Sequence, residues 1–236
     1  MKLLPTASQT VGPFLHIGLS WLTIEHIAPT DCRGHRVTIE GRVVDGDGRP
    51  VNDALVEIWQ ANADGRYSHP EDTRASLTPN SSPLSAGSAG EKGERVSPLT
   101  RNTSPLSTEE RGEGVSRLSP WGGGVGGEGG FRGFGRVPTD ADGRYRFFTI
   151  KPGPVADPQG GLQAPHLLVS VFMRGLLKRL VTRMYFPDEP RNTDDRVLRL
   201  VPIQRRGTLV ARPKENGELE WNIILQGASE TVFFDC

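Results

Sequence analysis

Cysteine is nearly absent from this 236-residue chain: Cys32 and Cys236 are the only two. Two thiols cannot build a disulfide framework, and such usage predicts a reducing, cytoplasmic compartment. An excess of charge of either sign is also missing. Basic and acidic residues number 28 each, so no bulk field draws the chain to nucleic acid or to an anionic membrane. No run of about 18 apolar residues occurs, which excludes a membrane-spanning helix. The opening Met1-Lys2-Leu3-Leu4-Pro5-Thr6 has no apolar stretch of signal-peptide length, so no cleaved leader is expected. Apolar residues other than glycine reach only 35%, with 29 glycines and 19 prolines as the excess.

That excess is local. Residues 73–130 hold 12 Gly, 10 Ser and 5 Pro, so nearly half of the 58 positions are loop formers. The segment also repeats itself: Leu77-Thr78-Pro79-Asn80-Ser81-Ser82-Pro83-Leu84-Ser85 returns 22 residues later as Leu99-Thr100-Arg101-Asn102-Thr103-Ser104-Pro105-Leu106-Ser107. A solenoid of that period needs a recurring apolar face, and neither copy supplies one. A stretch this polar cannot bury enough surface to offset its ordering entropy. It reads as a disordered Gly/Ser/Pro-rich insertion, with a flexible partner-binding arm as the alternative.

The remainder, 1–72 and 131–236, has the size of one domain and reads almost wholly as strand. Val37–Val43 alternates and runs into the turn residues Asp45-Gly46-Asp47-Gly48-Arg49-Pro50. Ala54–Trp59 is a second strand, with Tyr145–Ile150 as its candidate partner. Leu167–Phe172 is a continuous apolar run that predicts a central strand buried on both faces. Leu180–Phe186 and Leu219–Leu225 follow, and 198–210 is the one place for a short helix. Short strands punctuated by Gly, Pro and Asp predict an all-β fold, an antiparallel β-sandwich.

Several motifs carry a resemblance. Ile39-Glu40-Gly41-Arg42-Val43, Gly48, Val51, Val56-Glu57-Ile58-Trp59-Gln60-Ala61-Asn62 and Gly65-Arg66-Tyr67 are similar to the signature of the intradiol ring-cleavage dioxygenases. Phe134-Gly135-Arg136, Asp140-x-Asp142-Gly143, Thr149-Ile150-Lys151-Pro152-Gly153-Pro154, Ala164-Pro165-His166 and Thr182-Arg183-Met184-Tyr185-Phe186 continue it in family order. Two ends, Ser8–Gly18 and Glu230–Asp235, resemble the alpha chain of a two-subunit member of that family. The resemblance implies an intradiol dioxygenase fold and chemistry in which Fe(III) is held by two tyrosines and two histidines. Phenolate and imidazole suit that hard ion and leave room for a catechol dianion, whose ring O2 opens between the two hydroxyls.

Matched position by position, the implied ligand set is incomplete here. The first tyrosine falls near Arg74, where none occurs. The second becomes Val155 in Pro152-Gly153-Pro154-Val155, and the histidine pair becomes His166-Leu167-Leu168, so that only His166 survives as a vestigial ligand position. An arginine just before that pair is matched by Gln163. The chain has only three tyrosines, Tyr67, Tyr145 and Tyr185, each in fold-signature or strand pattern where packing is the expected role. No catalytic residue and no metal ligand are therefore expected in this chain. The resemblance implies a homologous beta subunit that carries the Fe(III), with this chain inactive alone.

What the alpha chain would contribute is also implied by the resemblance. Thr10, Gly12, Pro13 and Arg174 match positions that approach the partner's substrate pocket, and residues 1–36 form the arm that contacts the partner. Gly-Pro gives a rigid turn with room for close backbone approach. Thr10 offers a hydroxyl, and Arg174 offers a planar cation for the carboxylate of an aromatic substrate. The competing roles are an ordinary turn for the first three and an ion pair or sheet-edge cap for Arg174.

The other signals are bland. His166 reads as a hydrogen-bonded core histidine, His16 as structural or interfacial, and His26, His35 and His69 carry no pattern. The acidic pairs Asp188-Glu189 and Asp194-Asp195 read as solvated surface. The glycines of 122–130 lack the Lys-Ser/Thr of a phosphate loop. Two rival readings stay open: a non-catalytic β-sandwich that binds a small molecule or acts as a scaffold, and an inactive copy of the alpha subunit disabled by its insertion.

Overall fold

The computed structural model describes residues 9–12, 14–69 and 131–235; the 73–130 insertion, Pro13 and Cys236 lie outside the described residues. After a short helix, α1 (Phe14–Leu19), the chain enters β1 (Arg36–Val44) and β2 (Leu55–Trp59). Beyond the insertion come β3 (Phe134–Pro138), β4 (Arg144–Ile150) and a hairpin of β5 (Val155–Ala156) with β6 (Leu162–Gln163). The long strands β7 (His166–Phe172) and β8 (Leu180–Tyr185) follow. Two one-turn helices, α2 (Arg196–Leu200) and α3 (Ile203–Arg206), precede the short strands β9 (Arg212–Pro213), β10 (Leu219–Glu220) and β11 (Ile223–Ile224).

Two sheets enclose the core. In one, β1 pairs antiparallel with β4 along one edge and parallel with β10 and β11 along the other, and β9 closes on β10. The other is wholly antiparallel in the order β3-β2-β7-β8. Strand alternation decides what faces inward. Ile39, Val43, Tyr145 and Phe147 from the first sheet meet Val56, Ile58, Val169, Val171 and Met184 from the second in one buried cluster. Between the sheets, buried Gln60 donates to Ile150 O at 2.8 Å and accepts from Thr149 Oγ1 at 2.7 Å, so the polar groups enclosed there are paired.

The sandwich expected from the sequence is present, with three differences. Tyr145–Ile150 pairs with β1, not with the 54–59 strand, whose neighbours are β3 and β7. The 167–172 strand is central, yet only its Leu167-Val169-Val171 face is fully buried; Leu168, Ser170 and Phe172 are half-exposed. The 219–225 strand breaks at Trp221 into two ladder steps on β1. There Trp221 N donates to Glu40 O and Trp221 O accepts the Tyr145 hydroxyl at 2.6 Å. Gly41 makes room for that break: a Cβ on it would lie 1.8 Å from Trp221 O. The helix expected in 198–210 appears as α2, α3 and a following 3-10 turn.

Candidate functional site

The candidate positions gather at the two ends of β7. At its start, local turn chemistry assembles a cluster. Asn62 Oδ1 accepts the Asp64 and Arg66 amides, and Gly153 N donates to Asn62 O. Gly65, at φ 75°, packs so tightly on Pro154 that a Cβ would lie 2.0 Å from its carbonyl oxygen. Gly65-Arg66-Tyr67 and Pro152-Gly153-Pro154-Val155, two of the motifs that carried the resemblance, are thereby held against each other beside β6 and β7.

His166 is buried, and its Nδ1 lies 2.7 Å from Ala164 O. A carbonyl only accepts, so Nδ1 carries the proton and Nε2 the lone pair. Burial, first, and the Arg183 charge lower its pKa to about 4, opposed by the Ala164 carbonyl and Asp195. Cross-strand from it is Tyr185, fully buried, whose hydroxyl donates to Asp195 Oδ1 at 2.9 Å. Arg183 Nη1 donates to Gln163 Oε1 at 2.8 Å and lies 3.5 Å from the Tyr185 hydroxyl. Burial pushes the Tyr67 and Tyr185 hydroxyls above the usual tyrosine range, and Arg183 pulls both partly back. Val155 is buried and Leu168 half-buried; neither has a donor atom. Among the described residues no three His, Cys, Asp or Glu side chains converge.

Reading the acidic pair 194–195 as solvated is half wrong. Asp194 is exposed and pairs with Arg199 at 2.6 Å. Asp195 is fully buried: its carboxylate caps α2 through Leu198 N (2.8 Å) and also accepts from Ala164 N (2.8 Å) and Tyr185. The N-cap signature, an Asp directly before Arg196-Val197-Leu198, is the signal that would have found it. Asp188 is exposed as expected, and Lys151 beside it holds its carboxyl below the usual range. Of the three tyrosines, Tyr145 and Tyr185 are buried packing residues with bonded hydroxyls.

At the far end of β7, roughly 20 Å away at ~3.3 Å per residue, the N-terminal segment meets the turn after the strand. Thr10 Oγ1 accepts the Gly175 amide at 2.9 Å. Gly12, at φ 65°, has open space around its Cα. Arg174 lies 2.8 Å from Asp53 Oδ2 through its Nε, while 64% of its side chain remains exposed. Thr10 and the Arg174-Gly175 turn are thus neighbours, a proximity of residues 165 positions apart. A separate concavity of about 710 Å³ on the outer face of the first sheet includes none of the candidates; it is lined by Glu25, Glu40, Arg42, Arg144, Arg146 and others. There Glu40 pairs with Lys214 and, at 2.6 Å, with Arg146.

Comparisons with known proteins bear on the sandwich and its motifs. A family model described as Dioxygenase matches residues 23–89 and 125–227, and the chain belongs to the intradiol dioxygenase family. The protocatechuate 3,4-dioxygenase alpha chain of Burkholderia cepacia is 33% identical over 246 residues, which covers 98% of this chain and 96% of that one. The beta chain of the same enzyme from that organism is 31% identical, covering 95% and 77%. Among solved structures, the dioxygenase domain of a carbohydrate-binding fusion from Streptomyces sp. SirexAA-E shares the fold, with a TM-score of 0.51, 20% identity, and 87% and 89% coverage. Among the described residues no helix is long and apolar enough to cross a membrane.

Proposed function

We propose that this chain is the iron-free alpha subunit of a heteromeric protocatechuate 3,4-dioxygenase. A homologous beta subunit holds the Fe(III), and the pair adds both atoms of O2 to protocatechuate, yielding 3-carboxy-cis,cis-muconate in aromatic-compound catabolism. The observation that carries this reading is the loss of donors within an otherwise full-length likeness to an alpha chain. Where the family's ligands are expected, this chain places buried Val155 and half-buried Leu168. The described residues do not fit a ferric ion: Val155 and Leu168 carry no donor atom, the Tyr185 hydroxyl is engaged with Asp195, and the Arg183 cation lies beside it. The test is iron content and ring cleavage of the chain purified alone and with its beta partner. An iron-free, inactive chain that becomes part of an active iron-bearing pair supports the reading; stoichiometric iron in the chain alone overturns it.

In this reading Thr10, Gly12, Pro13 and Arg174 form the part of the chain that borders the partner's pocket. Support comes from the Thr10–Gly175 bond, which ties the arm to the Arg174 turn, and from the exposure of the Arg174 guanidinium. One charge-assisted hydrogen bond to a substrate carboxylate contributes ~1.5–3 kcal/mol. Arg174→Met is therefore expected to raise KM for protocatechuate about tenfold or more in the alpha-beta complex, with kcat little changed. Unchanged KM would reduce Arg174 to its ion pair with Asp53. The 73–130 segment is read as an insertion into a sandwich made by 1–72 and 131–236. Its removal is expected to leave assembly and turnover unaltered, since loop closure entropy depends only weakly on length.

A further inference from the structure

The cluster at the start of β7 has a feature that an abandoned ligand site does not require. The register pairs His166 with Tyr185 and Leu168 with Arg183. Because Leu167 and Val169 point into the core, alternation places His166, Leu168, Arg183 and Tyr185 together on the opposite face. With an aliphatic side chain at 168, the guanidinium of Arg183 is free to fold over this face. It donates to Gln163 Oε1 at 2.8 Å and comes within 3.5 Å of the Tyr185 hydroxyl, which itself donates to buried Asp195 at 2.9 Å. Its charge also acts on Tyr67 and His166. A phenol, a buried imidazole and, through the phenol, a buried carboxylate thus lie on one face beside a single fixed positive charge.

Oxygen and imidazole donors around a cation are also what a metal would collect. We propose that the Arg183 guanidinium takes the place of a metal ion at this position, organising Tyr185, Gln163 and, through Tyr185, Asp195, and keeping metal cations out. This rests on the reading of the chain as the iron-free subunit. A guanidinium does the work in two ways. Its Nη1 donates to Gln163 Oε1 at 2.8 Å and approaches the Tyr185 hydroxyl at 3.5 Å, so one nitrogen serves both neighbours. Its permanent charge repels a second cation a few ångström away in this half-buried site.

The full-length chain, purified alone, is titrated with ferric citrate as wild type, Arg183→Lys and Arg183→Met. Wild type and the lysine variant are expected to stay colourless. The methionine variant is expected to take up Fe(III) at least about tenfold more tightly, to develop a visible tyrosinate-to-iron charge-transfer band, and to shift the His166 ring resonances. All three chains staying colourless, with R183M as stable as wild type, overturns the proposal and leaves the subunit reading intact. If R183M does not fold, R183K and R183Q decide: native-like stability restored by lysine but not by glutamine supports a cation's role, and equal behaviour overturns it. Iron bound stoichiometrically by the wild-type chain overturns both this proposal and the subunit reading on which it rests.

Discussion

Asp195→Ala is expected to lower the unfolding free energy of the full chain by about 3–5 kcal/mol, an effect large beside the 5–15 kcal/mol that a domain typically possesses. The carboxylate is fully buried and accepts three hydrogen bonds, from Ala164 N, Leu198 N and the Tyr185 hydroxyl, all within 2.9 Å. Alanine leaves those donors enclosed without partners, at roughly 1–3 kcal/mol each, partly relieved by water entering. It also removes the N-cap of α2, which by itself costs about 1 kcal/mol. The consequences reach beyond the helix. Ala164 lies two residues before His166, and Tyr185 pairs with His166 across the sheet, so one carboxylate fixes the hairpin end, the helix start and β8 together. Asp195→Asn keeps one carbonyl but turns an NH2 toward one of the three donors, and its loss should fall between wild type and alanine. Urea unfolding at neutral pH measures both. A loss below about 1 kcal/mol for alanine would mean that the three bonds are replaceable by solvent, contrary to this account.

How much of this was legible in the sequence depends on the distance over which each feature is encoded. Alternation marked the strands, because a two-residue period is local: 37–43, 54–59, 145–150 and 180–186 are all strands within a residue or two of their observed ends. Pairing is not local. Tyr145–Ile150 has the pattern of a strand that fits either sheet, so the sequence offers β2 as a candidate partner where the fold pairs it with β1. The break at Trp221 depends on Gly41, 180 residues earlier, admitting a carbonyl oxygen at its Cα. The candidate site divides along the same line. His166, Val155 and Leu168 were legible as positions because each stands in a recognisable motif. Arg183 also stands in a motif, but what it faces is not written there: the β7–β8 register and Gln163 on a separate hairpin set it. Asp195 is locally legible as an N-cap, but an acidic dipeptide between polar residues has the same local pattern as solvated surface. Nothing near Thr10 in sequence announces Gly175.

His166 should make the chain acid-labile in a window set by its own titration. In an unfolded chain a histidine protonates near pH 6.5. In the native chain burial keeps the imidazole neutral down to about pH 4. Above pH 6.5 both states hold a neutral ring, and the residue contributes no pH dependence. Between 6.5 and about 4 the unfolded chain binds a proton that the native chain refuses, so stability falls by up to ~1.4 kcal/mol per pH unit, about 3 kcal/mol in all. Carboxylates held below their usual range, Glu40 with Lys214 and Arg146 and Asp188 with Lys151, add their own loss at the acid end. They do so equally in a variant that leaves them untouched. The difference between wild type and His166→Phe isolates the imidazole: it should be constant from pH 8 to 6.5 and then shift progressively in favour of the phenylalanine chain down to about pH 4. Parallel stability curves across that range would mean that the ring reaches solvent in the native state. The Nδ1–Ala164 bond would then not be enough to hold it neutral, and the enclosure of this end of β7 by Tyr185, Leu198 and Val201 would have to be looser than their packing indicates.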